Sequence, residues 1–275
     1  MRKNRYYLIE YFQEEFQRAK DTKQSFIYER TTYTRKIKYK NYSLIFNQEG
    51  KMDDRILSLI NKVRKDAMKY IELNNIQLPD SRIFFLDMFN IPKSDDIITK
   101  VDITKAYWKQ GLMDGVISQD TDDFLNETFT DYTEKALKGV RLKALGSLAT
   151  RKEIESYENG RVVDWEIKEQ PTKQIYMNIC SSIDQMMRKC RTEVDQCIFY
   201  YWDCMFVKKS HSKQVIDFFK SKDFECKSED TILHYDIVGT KGYLTSEVDG
   251  KMYLVANENR NLLPGLNTTY SINNQ

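Results

Sequence analysis

Apolar and polar positions along the chain change period several times, and the changes mark out elements. In RYYLIEYFQEEFQRAK (5–20), Tyr7, Leu8, Tyr11, Phe12 and Phe16 recur at helical spacing, which predicts a helix. SFIYERTTYTRKIKYKNYSLIFN (25–47) alternates and is rich in β-formers, which predicts two strands. DDRILSLINKVRKDAMKYIELNN (53–75) gathers Ile56, Leu59, Ile60, Val63, Ala67, Tyr70 and Ile71 on one side of a long helix. Its other side carries Lys62, Arg64, Lys65 and Lys69, read as a solvated face in preference to a nucleic-acid contact. Pro79 and FNIPKSDD then break the pattern and put a boundary near 78–96.

Beyond that boundary the spacing predicts a short strand in IITKVDIT, a basic helix over 131–152 and a turn at ENGR (158–161) between two short strands. A helix over 175–194 runs directly into the apolar run CIFYYWDCMFVKK (197–209). A helix in HSKQVIDFFKSK and strands around TILHYDIVGTKGYLTSEVDGKMYLVAN follow, with VDG as a hairpin turn. The last residues look irregular. Strands and helices mix without regular βαβ alternation, so the expected class is α+β, an antiparallel sheet covered by helices on one face.

Composition narrows this picture in a few places. The 275 residues carry 43 basic and 41 acidic side chains, a net charge of +2, so bulk charge does not announce a nucleic-acid binder and any basic surface is local. Five cysteines, with no CxxC pair, suit reduced thiols in a cytoplasm-like compartment, and two histidines lack zinc-ligand spacing. The N-terminus is too charged for a signal peptide, and no apolar stretch approaches the roughly 20 residues that span a bilayer. The expectation is a cytoplasmic protein with no membrane partner.

One carboxylate in the apolar run changes the picture more. Asp203 lies among aromatic and β-branched residues, where an ionised acid is costly without a partner. Asp102, in KVDITKAYW, is likewise flanked by apolar residues at a strand end. Two acids brought together on adjacent strands repel unless a cation sits between them, and their hard oxygens suit Mg²⁺ or Mn²⁺. Two unrelated acids, one capping a helix and one in a hairpin turn, satisfy the same spacing.

DITKAYW resembles the first palm motif of family B DNA polymerases, an Asp followed five residues on by a Tyr. The resemblance gives Asp102 to the catalytic metals and sets Tyr107 under the incoming sugar, with Trp108 in place of the usual Pro. YWDCMFV resembles the family's DTDSIFV hairpin, with Asp203 on the second, metal-binding Asp and Tyr201 replacing the first. VRLKALGSLATRK is similar to the nucleotide-binding helix KxxxNSxYG: Ser147 is retained, Gly146 stands for Asn and Ala149 for Tyr. The lysine register is off by one, so Arg141 or Lys143 would serve the triphosphate. GTKGYL resembles the KxY motif of protein-primed polymerases, which gives Lys241 and Tyr243 to the primer terminus.

The resemblance implies a palm over 91–256 with a short fingers helix, an N-terminal α+β domain over 1–90 and a tail over 257–275. It implies two Mg²⁺ (or Mn²⁺) ions, dNTPs and a primer-template DNA. Nothing in the chain resembles the family's exonuclease or its thumb, which points to a protein partner supplying the thumb. The alternative is an inactive palm relic serving as a nucleic-acid-binding or structural subunit of a phage or mobile-element complex, and a third is two purely structural acids. Two side candidates remain. DTDD (120–123) suits an exposed loop better than a cation site, and RKIKYK (35–40) fits either a single-strand contact or a lysine-protected edge strand. Neither histidine, at 211 or 234, has a paired nucleophile.

Overall fold

The computed structural model describes residues 3–31, 34–47, 50, 52–76, 86–88, 97–238, 241–248 and 251–259. In chain order the first elements are β1 (Lys3–Leu8), α1 (Phe12–Asp21), β2 (Phe26–Arg30), β3 (Arg35–Lys38), β4 (Tyr42–Asn47) and α2 (Asp54–Leu73). Next come β5 (Leu86–Met88), β6 (Ile98–Ile103), α3 (Ala106–Met113), α4 (Gln119–Thr128), α5 (Glu134–Gly146), β7 (Lys152–Glu158) and β8 (Arg161–Lys168). The chain then forms α6 (Lys173–Glu193), β9 (Cys197–Tyr201), β10 (Cys204–Lys208), α7 (Ser212–Lys220), β11 (Cys226–Val238), β12 (Lys241–Val248) and β13 (Lys251–Asn259). The class is α+β. Among the described residues no helix is long and apolar enough to cross a membrane.

Contacts divide the chain into two units, residues 1–78 with 111–178 and residues 79–110 with 179–275. The break at residue 78 falls in the expected boundary region, most of which lies outside the described residues. The segment 111–178, expected within a contiguous palm, groups instead with the N-terminal segment. Pairing accounts for this: β7 adds to β2, with Tyr28 opposite Glu155.

The first unit holds a six-stranded sheet in the order β1-β4-β3-β2-β7-β8. Its core is aromatic: Phe12 of α1 meets Tyr28 and Phe46, and Phe26 stacks on Tyr157 at 4.6 Å. Residues 3–8 are a strand parallel to β4, not the first turns of a helix, with Tyr7 stacked on Phe46. KNRYYL has weak helix propensity, and the open edge of β4 offers it backbone partners. Residues 25–47 make three strands where the alternation suggests two.

β3 lies inside the sheet, so RKIKYK is no edge, and its cations are engaged. Arg35 sits over Phe12, and Lys38 and Lys152 pair with the buried Glu29. DTDD is the first turn of α4, capped by Ser118, where acids favour the helix dipole. The basic side of α2 is also partly used, with Lys62 over the Phe124 ring and Arg64 bonded to the Ser147 carbonyl.

The second unit holds a seven-stranded antiparallel sheet in the order β13-β12-β11-β6-β10-β9-β5. Within it, β6, α6, β9, β10, α7 and β11 follow one another with strand order β11-β6-β10-β9, the split βαβ topology of ferredoxin-like sheets. One face buries Val101 and Ile103 of β6, Tyr200 of β9 and Met205 and Val207 of β10 against Ile183 and Met187 of α6 and Val215 and Phe219 of α7. Each such side chain contributes about 1.5–3 kcal/mol. The expected turn at Asp249–Gly250 and the tail beyond Asn259 lie outside the described residues.

Candidate carboxylate site

β6 alternates, and the alternation aims its residues. Val101 and Ile103 join the helix-side core, so Asp102 belongs to the opposite face. That face buries Ile98, Phe199 and Phe206, the two rings stacked at 4.2 Å, and leaves Lys100 and Asp102 half-exposed. Asp102 lies opposite Cys204 on β10 and opposite Lys227 on β11. Its charge is felt nearby: burial, and then Asp102, push the Cys226 thiol up to about 11.

The apolar run 197–209 is a tight hairpin, β9 and β10 joined through Trp202 and Asp203. Asp203 continues the β6–β10 register, since the Ile103 N–H donates to the Asp203 carbonyl at 3.1 Å. The backbones of Asp102 and Asp203 therefore lie diagonally across adjacent strands, one register position apart, although a hundred residues separate them in the chain. Asp203 sits in the turn, where strand alternation no longer dictates side-chain direction, and is half-exposed. Among the described residues the Asp102 side chain makes no hydrogen bond and no ion pair. A half-buried carboxylate in that state is suited to a cation. Among the described residues no group of three or more His, Cys, Asp or Glu is placed to hold a metal ion.

The other sequence candidates lie elsewhere. Tyr107, second residue of α3, is half-buried and packs against the helix-side core. Lys241 and Tyr243 lie on β12, opposite Val238 and Asp236 of β11, two strands from β6. Arg141, Lys143 and Ser147 belong to the first unit. Arg141 is 6% exposed and pairs with Glu134 at 3.3 Å. Ser147 is buried, and its hydroxyl donates to the Ala144 carbonyl at 2.6 Å. Lys143 is half-buried.

Sequence reasoning missed Lys227, which no motif marks, and Trp202, whose left-handed place in the turn emerges only once the hairpin is folded. It also missed a buried network behind the hairpin. Asp184 of α6, 3% exposed, accepts from the Tyr200 hydroxyl and from Arg188 Nε at 2.9 Å. Burial and the bond to Asp184 push the Tyr200 phenol well up.

Comparison of the chain with known protein families, with curated proteins and with solved structures finds no match.

Proposed function

We propose that the chain is a nucleotidyltransferase of the family B polymerase kind, acting on a nucleic-acid primer end, with Asp102 and Asp203 as its metal ligands. One observation carries the reading: two half-exposed aspartates lie one register position apart on adjacent strands, and the Asp102 side chain has no hydrogen bond or ion pair among the described residues. The donor chemistry fits Mg²⁺ or Mn²⁺, which are hard cations that take oxygen. Bound there, a metal pair supplies Lewis-acid stabilisation of phosphoryl charge and lowers the pKa of an attacking hydroxyl. The two aspartates hold that charge in place, and Lys227, opposite Asp102, stands where it would neutralise phosphate oxygens. Lys241 and Tyr243 keep the primer-end role that the KxY resemblance gives them. A cytoplasmic protein working with primer-template DNA, dNTPs and a thumb-supplying partner completes the proposal.

The test is extension of a primer-template with dNTPs and Mn²⁺ by the purified chain, with Asp102→Ala and Asp203→Ala alongside. Metal catalysis supplies several kcal/mol and each 1.36 kcal/mol is tenfold, so each variant is expected to lose at least about a hundredfold while its circular dichroism is unchanged. A variant extending at the wild-type rate removes the reading.

A second reading has its own support. The family's triphosphate-gripping helix maps onto Arg141 and Ser147, and both are buried and engaged within their own unit. That favours a catalytically silent relic that binds nucleic acid inside a phage or mobile-element complex. DNA binding without any extension is its expected signature.

A further inference from the structure

Trp202 has a left-handed backbone, with φ of 57°. For a residue with so large a side chain this conformation is an outlier, whereas glycine adopts it without strain. Such strain persists where the surroundings enforce it, and it gathers at working sites. The flanking strands bury Phe199, Tyr200, Cys204 and Met205, yet Trp202 is 37% exposed, meeting Tyr201 edge-on at 6.2 Å. The turn thus holds a large aromatic surface out at the sheet's end, one residue from Asp203.

The strands beside it bring lysines towards this end of the sheet. Lys227, opposite Asp102, and Lys100, two residues before Asp102 on β6, share the face of Asp102 by register, and Lys105, exposed and also left-handed, follows the end of β6. Glu229, opposite Lys100, is the acid among them. An exposed indole amid lysines is the combination that binds single strands, the ring stacking a base and the cations following the phosphates. We propose that Trp202 is a stacking platform for a nucleobase, placing the attached sugar-phosphate beside the Asp102–Asp203 pair. The proposal deepens the function argued above and rests on it for the meaning of that pair, but base stacking is measured without catalysis.

The test compares the full chain with Trp202→Gly and Trp202→Phe. Glycine removes the ring and relieves the backbone, so its melting temperature is expected to equal or exceed that of the wild type. Anisotropy of a fluorescein-labelled dT12 strand is read in Mg²⁺ without dNTPs, beside an abasic strand of the same length. A stacked base changes affinity by about 5- to 100-fold. The wild type is expected to prefer dT12 over the abasic strand by that factor, Trp202→Gly to lose the preference and Trp202→Phe to keep part of it. Competition by millimolar dTTP separates the two sources of the base: displacement assigns it to an incoming nucleotide, persistence to the strand. Equal preference in Trp202→Gly overturns the proposal, as does a fall in its melting temperature, which would make the indole a structural strut. Loss of preference in Trp202→Gly together with full extension by Asp102→Ala would sink the catalytic reading and leave the platform standing.

Discussion

Tyr200 shows how one side chain ties the carboxylate hairpin to its support. Its hydroxyl, buried in the helix-side core, donates to Asp184, and Arg188 holds the other carboxylate oxygen. Removing a donor from a buried acceptor costs about 1–3 kcal/mol. Tyr200→Phe is therefore expected to lower the urea midpoint by that much stability at an unchanged m-value. At this scale the sequence was informative where chemistry was conspicuous: an acid in an apolar run is legible as Asp203, and Asp102 through its spacing to Tyr107. Lys227 and Trp202 were not, because a lysine in CKSED carries no signal and a turn without Asn or Gly advertises no left-handed residue.

Elements with strong local chemistry were equally readable. ENGR folds as the β7–β8 turn, with Asn159 and Gly160 both left-handed. A Cβ on Gly160 would also come within 2.8 Å of the Lys20 carbonyl. Gly160→Ala is expected to destabilise the first unit by about 1–3 kcal/mol, read as a lower thermal midpoint.

The N-terminus of α2 makes a pH prediction. Asp53 caps it, bonded to Arg55 and Tyr132, and the Arg55 side chain foremost holds the Asp53 carboxyl down to about 2 from an ordinary 3.8. A folded pKa below the unfolded one gives stability that is complete above the unfolded value and lost as pH falls through the folded one. Circular dichroism is expected to weaken between pH 4 and 2, and less steeply in Asp53→Asn, which keeps a capping side chain but cannot titrate. β1 was misread because Tyr, Leu and Phe at short spacing fit a helix face and a strand alike, and the free edge of β4 decided between them.

At the scale of the whole molecule, local pattern ran out. The class and the helix-covered antiparallel sheet follow from element order, but the division of the chain depends on β7 finding β2, a pairing with no local signature. Residues 1–90 alone would bare the side chains by which α2 meets α4 and α5, Ile56, Leu59, Val63 and Ala67 being its buried positions. At about 1.5–3 kcal/mol for each large apolar side chain, that loss rivals the 5–15 kcal/mol by which a domain is stable. A 1–90 fragment is expected to be unfolded by circular dichroism. A folded, cooperative fragment would show that the N-terminal segment is self-sufficient.

The interleaving also governs when the carboxylate pair comes into being. β6 leaves the ribosome about a hundred residues before β10, the strand that completes the pair. Synthesis at about 5–20 residues per second leaves that nascent strand without β10 for several seconds, its apolar edge open to any neighbouring chain. Late closure of so long a loop slows folding far more than it weakens the finished sheet. A cell making this protein would meet its difficulty during translation, where chaperone supply, and not the stability of the mature molecule, would limit yield.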